Sequence, residues 1–348
     1  MKVCYLSGGT SVPTIGFRLP FFEALRKRGH QCVILHAYPA RYDYYRIVGW
    51  RVSQAIRKVI RFWHLFRILW GRYDVVVLET GLFHTNDDSY EKHLRRISSR
   101  LIYEIDDAVF LLFPKKTENI ARDADHVIAG NHKLANWTRQ FNTKVSIIPT
   151  CIDDKIYVPK QYNSLPDRRR LVIGWIGSSG NVRMLQVVAS SLRKLASSVD
   201  FDLHIITNCN HRIDDIDLAG VNVKWIEVNR CDVVGELHQF DIGIMPLPSG
   251  EPWMEYKCNA KMIQYMTVGI PAIGSAVGYN NELISHGENG MLANSEAEWE
   301  SCIRLLCESS ELRQRLGEAG RQTALIGHTV ASQIDLYEQI LIGDKLSY

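Results

Sequence analysis

The feature that most constrains this chain is an alternation. Short apolar runs rich in β-forming residues trade places with amphipathic helical runs: "KVCYLSG", "FFEALRKRG", "QCVILHAY", "YDVVVLET", "RLIYEID", "DHVIAG", "KVSIIPT". Such alternation is the sign of βαβ units and of a parallel sheet covered on both faces. Near residue 170 the pattern starts again. The restart, "RRLVIGWIGSSGNVRMLQVVASSLRKL", repeats the order of the opening "MKVCYLSGGTSVPTIGFRLPFFEALRKRG": basic residue, apolar strand, Gly/Ser turn, amphipathic helix ending in basic residues. In 348 residues, two such openings predict an α/β protein of two Rossmann-like domains rather than one long sheet. The polar stretch 154–169, with its Pro and Tyr residues, reads as the linker. The expected division is therefore 1–160, 161–325 and a closing segment 326–348 whose helix, from about 329 to 341, packs back toward the first domain.

Composition narrows the class. At 46% hydrophobic and 23% charged the chain can build full cores, and a net charge of +3 is too mild to mark a nucleic-acid binder. The eight cysteines form no CxxC pair and no Cys/His zinc spacing, which points to a reducing cytoplasmic setting with thiols acting as small buried side chains. The first apolar run breaks at Ser-Gly-Gly, so it reads as a strand and not as a signal peptide. No uncharged apolar run approaches the roughly 18 residues that span a bilayer. The "NWT" sequon at 136–138 is taken as chance.

Ligands of open α/β sheets bind at the carboxyl ends of the strands, so the strand-end loops carry the candidates. The turns "SGGTS" at 7–11, with Gly8 and Gly9, and "GSSGN" at 177–181, with Gly177, Ser178 and Ser179, let backbone approach an anion or sugar closely. A plain tight turn accounts for either one alone. In "EPWMEYKCNAKMIQYMTVGIPAIGS", 251–275, helical spacing places Lys257, Lys261 and Gln264 at i, i+4 and i+7 beside an apolar stripe. Two cations near a helix N-terminus are disfavoured by the dipole unless water or an anion takes up the charge. Each charge-assisted bond to a phosphate oxygen contributes roughly 1.5 to 3 kcal/mol, enough for two lysines to hold a diphosphate without a metal. A solvated basic edge is the bland alternative. Asn281 and Glu282 open a helix whose N-terminus would approach a donor sugar, although capping alone explains the asparagine.

The block "FDIGIMPLP…EPWMEYKCNAKMIQYMTVGIPAIGSAVGYNNELISHGENGMLA" resembles the donor-binding region of GT-B glycosyltransferases of the group 1, or family 4, type. "HVIAGNHKLANW…KVSIIPTCIDDKIYVP" resembles that family's segment joining the domains, and "LIYEIDDAVF" its acceptor-side strand end. The resemblance implies a GT-B fold, two Rossmann-like domains facing across a cleft. It also implies retaining, metal-independent transfer of a sugar from a nucleotide-diphosphate sugar to an acceptor hydroxyl, in polysaccharide or glycolipid synthesis, with no cofactor. The acceptor would be a saccharide or lipid-linked.

One departure is plain: the family's E-x7-E pair falls on Tyr256 and Gln264. Gln264 would meet the donor ribose as neutral donor and acceptor, while Glu251 and Glu255 stand off the matching position for the first glutamate. Ser178 and Met184 sit near the places of the family's usual Arg and Lys, so Lys257 and Lys261 are expected to carry the phosphate, as in a subset with a "KCxxKxxQYM" helix. Asp106 falls beside the reacting sugar in the resemblance, as catalytic base or acceptor contact, with Asp107 beside it. Either aspartate alternatively caps the next helix. Arg18 falls where the subset places an arginine toward a phosphate or acidic acceptor. The rival readings are a sugar-nucleotide 2-epimerase of the same fold and a binding protein without turnover.

The segment 46–72, "RIVGWRVSQAIRKVIRFWHLFRILWGR", holds seven Arg or Lys, no Asp or Glu, and interleaved aromatics. It is expected to turn apolar residues to the sheet and basic ones, Arg57, Lys58 and Arg61 among them, toward an anionic membrane surface, as a peripheral contact on the inner face. Nucleic acid is the poorer partner, because the basic residues are confined to one helix.

Overall fold

In the computed structural model, residues 1–9, 17–39, 44–45, 47–161, 170–210 and 212–343 are described. Thr10 and Ser11 of the first glycine turn, Arg46 at the start of the basic segment, and residues 162–169 of the expected linker lie outside them. The chain divides into two compact units: Met1–Cys151 with Tyr256–Cys258 and Val330–Tyr348, and Ile152–Glu255 with Asn259–Thr329. The first stretch ends at Cys151 rather than at 160 because the following residues are tied into the second unit. Ile152 N donates to His328 O, and Lys160 N to Val268 O, 2.8 Å away. The Lys160 ammonium is buried against Phe240 O and the Asp241 carboxylate.

In the first unit the order is β1 (Lys2–Ser7), α1 (Leu19–Lys27), β2 (Gln31–His36), α2 (Gly49–Gly71), β3 (Val75–Glu79), α3 (Ser89–Ile97), β4 (Leu101–Ile105), α4 (Pro114–Asp123), β5 (His126–Ala129), α5 (His132–Thr138) and β6 (Val145–Ile147). The six strands form one parallel sheet in the order β2-β1-β3-β4-β5-β6. Strands β1, β3 and β4 are buried almost throughout, as continuous Val/Ile/Leu runs require when helices cover both faces.

The second unit continues with β7 (Leu171–Ile176), α6 (Gln186–Ala196), β8 (Phe201–Thr207), β9 (Asn222–Glu227), α7 (Val233–His238), β10 (Ile242–Met245), α8 (Ala260–Thr267), β11 (Ala272–Ser275), α9 (Asn280–Leu283), β12 (Met291–Ala293), α10 (Glu296–Glu308) and α11 (Ser310–Gly327). Its parallel sheet runs β9-β8-β7-β10-β11-β12, the Rossmann order, with the crossover reversing between β7 and β10. There Gly174 pairs with Gly243, and the rings of Phe240 and Tyr265 fill the places that their side chains would take. Helix α10 opens on a capping box: Glu298 N donates to Ser295 Oγ while the Glu298 carboxylate accepts from Ser295 N.

The last helix, α12 (Val330–Ile342), belongs to the first unit. It packs Ile334, Tyr337 and Leu341 against Phe21, Phe22 and Leu25 of α1 in the core. Glu338 bonds Arg28 and His30 at the rim of that contact.

Helix α2 departs in part from the expected orientation: Leu65 and Ile68 are buried and Lys58 is exposed as expected, but Arg57 and Arg61 turn inward. Arg57 and Arg61 are 3% and 1% exposed, whereas Phe62, Trp63, Phe66 and Trp70, further along the helix, face outward. Arg61 Nη2 donates to Ser7 O (2.7 Å) and Nη1 reaches Leu35 O (3.4 Å), at the carboxyl ends of β1 and β2; Arg57 Nε donates to Pro39 O (3.0 Å). Buried carbonyls past a strand end need donors, and a guanidinium offers five. Burial and the charges of Arg61 and Arg67 push His64 down to about 4, so it packs beside them uncharged.

Candidate functional site

At the carboxyl end of β7 the chain turns through Gly177, Ser178 and Ser179 beside the crossover reversal. A Cβ on Gly177 would stand 2.6 Å from Lys261 Cε and 2.6 Å from the Trp175 ring. Lys261, half-buried in the first turn of α8, thus runs its stem across this turn, with its ammonium 5.5 Å from the centre of the buried Trp175 ring. The turn amides are already used: Gly177 N donates to Ile206 O, and Ser179 N to Asn208 Oδ1. What the glycine supplies is close approach, and the positive charge comes from a side chain instead.

Lys257 is not on this helix. Asn259, with a left-handed φ of 49°, breaks the backbone before α8, which begins at Ala260. Asn259 is fixed there by a 2.7 Å bond from its Nδ2 to Asn280 Oδ1, and Asn280 in turn donates to Ser275 O. The expected i, i+4 pair of lysines is therefore replaced by one helical lysine and one in the preceding segment. Gln264 is on α8, buried, and its Nε2 donates to the Tyr157 hydroxyl at 2.9 Å. Glu282 is exposed on the four-residue helix α9.

In the first unit, Gly8 and Gly9 follow β1, buried. Gly8 N donates to Glu79 Oε2 (2.7 Å), Gly9 N to Ser7 Oγ (3.1 Å) and the His36 ring bonds Gly9 O (3.0 Å). Arg18 is not solvated: its Nε meets Glu104 Oε2 at 3.1 Å, and the Tyr5 hydroxyl donates to the same oxygen. Burial alone would lower the Arg18 pKa, but Glu104, together with Tyr337, Tyr5 and Cys151, outweighs it and the net shift is upward. Burial, followed by Glu104, raises the Tyr5 and Tyr337 hydroxyls well above the usual tyrosine range, so both stay neutral.

This network walls a cavity of about 30 Å³ lined by Tyr5, Phe17, Arg18, Glu104, Asp106, Gly130 and Thr150. Asp106 is exposed at its mouth, 3.5 Å from Thr80 Oγ1, and Thr80 itself holds a left-handed φ of 59°. Neither aspartate caps an α-helix, since a 3-10 turn at Val109–Leu111 follows with Ala108 as its cap; Asp107 Oδ1 accepts from Ala108 N.

The Tyr256–Cys258 segment seats on the same strand ends. Asn131 caps α5 with its Oδ1 and donates from Nδ2 to Tyr256 O (2.9 Å), while the Cys258 thiol donates to Asp106 O (3.1 Å). Burial, with Asp106 and Asp107 adding to it, holds that thiol protonated. Lys257 is thus in the first unit, one residue from a contact to Asp106. Sequence reasoning missed Glu104, Glu79 and Asn131, although each sits at a strand end or cap position where buried polar side chains gather. Among the described residues, no three His, Cys, Asp or Glu side chains gather to hold a metal ion.

Residues 170–309, the β7–α10 body that contains Gly177 and Lys261, match the family model described as "Glycosyl transferases group 1". The chain carries a group 1 glycosyltransferase domain. Beyond that domain, a curated N-acetyl-alpha-D-glucosaminyl L-malate synthase from Bacillus anthracis is 23% identical, aligned over 64% of this chain and 61% of its own length. The alignment thus leaves more than a third of that relative unmatched. Among solved structures, a sucrose-phosphate synthase from Thermosynechococcus elongatus superposes with a TM-score of 0.71 at 14% identity, covering 98% of this chain and 99% of that one. The Anabaena HepE protein, solved with UDP and glucose, gives 0.69 at 14% identity, covering 98% and 99%. The fold is GT-B. In this glycosyltransferase domain the E-x7-E positions are Tyr256, in the first unit, and Gln264, on α8.

Proposed function

We propose that the protein transfers a sugar from a nucleotide-diphosphate sugar to an acceptor hydroxyl, with retention and without a metal, in polysaccharide or glycolipid synthesis. The observation that carries this reading is the crossing of Lys261 over the Gly177 turn at the crossover reversal of a group 1 glycosyltransferase domain. An anion is favoured at the N-terminus of α8, and there the lysine would donate to the diphosphate oxygens as charge develops on them in the transition state. Ser178 and Ser179 would add hydroxyl contacts, Gln264 would offer its amide oxygen to the ribose, and Glu282 would approach the donor sugar. On the first unit, Asp106 would take the acceptor's proton, with Asp107, Gly8 and Gly9 as acceptor contacts. Arg18, committed to Glu104, would shape that site through the buried network. UDP is the first donor nucleotide to try, since HepE was solved with it.

The test is calorimetric titration with UDP, followed by turnover of a UDP-sugar panel. Lys261→Ala is expected to weaken nucleotide binding about tenfold or more, a loss of roughly 1.4 kcal/mol. Unchanged affinity rejects the reading of the lysine. The same titration on Lys257→Ala decides whether the displaced lysine contributes to the phosphate site. Sugar-nucleotide consumption that needs no acceptor would instead favour an epimerase.

A further inference from the structure

The outward side of α2 carries Val59, Phe62, Trp63, Phe66 and Trp70, spaced by three and four residues along one face. Trp70 is 73% exposed, Phe62 67% and Trp63 57%. The rings support one another: Trp63 and Phe66 stack with centroids 5.4 Å apart, and Phe66 meets Trp70 at 5.6 Å. With 3.6 residues per turn, the exposed Lys58 and Arg67 fall on opposite shoulders of this stripe. Residues 47–72 contain no Asp or Glu.

We infer that this face lies flat on an anionic phospholipid bilayer, its rings at the boundary between headgroups and acyl chains and its flanking cations among the lipid phosphates. Three observations select that occupant. An apolar aromatic stripe between two basic shoulders is complementary to a surface that is apolar beneath and negatively charged above. Among the described residues no helix is long and apolar enough to cross a membrane, so a bilayer contact of α2 is one along its surface. A second copy fits worse, because a two-fold contact through this face would bring Lys58 and Arg67 toward their own counterparts with no carboxylate on the helix to answer them. Arg57 and Arg61 take no part, since they hold the carbonyls of Pro39, Ser7 and Leu35. The inference does not depend on the sugar-transfer reading.

The experiment is flotation of the full chain with phosphatidylcholine vesicles, with and without phosphatidylglycerol. The protein should float with the anionic vesicles, and acyl-brominated lipid should quench part of its tryptophan emission. The triple variant Trp63→Ala, Phe66→Ala, Trp70→Ala should partition about tenfold or more weakly and lose that quenching. The pair Lys58→Glu, Arg67→Glu should lose the preference for phosphatidylglycerol. Trp70→Lys, a single change at the most exposed ring, gives a milder variant should the triple fail to fold. The inference is overturned if the wild type floats with neither vesicle, or if the triple variant and Trp70→Lys both float as well as the wild type. It is also overturned if sedimentation shows a wild-type dimer that the ring variants abolish without any flotation, which assigns the face to a second copy.

Discussion

Single residues here are constrained most tightly where a glycine meets a ring or a stem. Gly177 is needed because the buried Trp175 ring, with Lys261 Cε beside it, occupies the space of a side chain, and Gly174 because the Phe240 ring does, its Cδ2 lying 1.9 Å from an added Cβ. Phe240 is fully buried and has nowhere to retreat. Gly174→Ala is expected to destabilise the protein by about 1 to 3 kcal/mol, the usual cost of forcing volume into a packed interior. A denaturant midpoint equal to that of the wild type would refute this packing account. The sequence shows "IGWIG" and "FDIGIM", but neither run says that Phe240 will lie on Gly174 or the Tyr265 ring on Gly243.

Among the elements, α12 is attached with an electrostatic rim. A hydrogen bond from His30 lowers the Glu338 pKa below its ordinary 4.5, burial opposes this, and Arg28 adds to the lowering. Because the folded value is the depressed one, this contribution is complete above about pH 4.5 and is lost as pH falls through the lower folded value. Amides of α12 should therefore open more readily in that acid window, measured by hydrogen exchange corrected for intrinsic rates. Glu338→Gln should show the weaker protection already at neutral pH and a flatter pH dependence. If both proteins follow the same pH curve, the apolar packing of Ile334, Tyr337 and Leu341 on α1 holds the helix without help from Glu338.

For the whole molecule, the proposal assigns donor binding to the second unit, so a nucleotide should stabilise that unit in particular. At about 100 times its Kd, UDP should add about 2.7 kcal/mol by mass action. It should raise the melting temperature and slow amide exchange around Gly177–Ser179 and the start of α8. In Lys261→Ala the same concentration should give a smaller shift. Protection confined to the β1 and β4 loops of the first unit would overturn the assignment.

The sequence by itself determined the two parallel sheets, since the alternation of apolar runs and amphipathic helices is a local property that each βα unit carries with it. It also put Lys261 and the Gly177 turn among the strand-end loops, which in such a sheet share one edge. Tertiary structure decided the rest. The stretch 257–264 has helical spacing throughout, yet Asn259 takes a left-handed conformation held by Asn280, and Lys257 falls off the helix. The segment around α2 offers two faces of similar amphipathic quality. The carbonyls of Ser7 and Leu35 chose the basic one, because a buried acceptor without a donor costs more free energy than rings left in water. No pattern along α2 contains that information: the acceptors lie at the ends of β1 and β2, and only folding brings them to the helix.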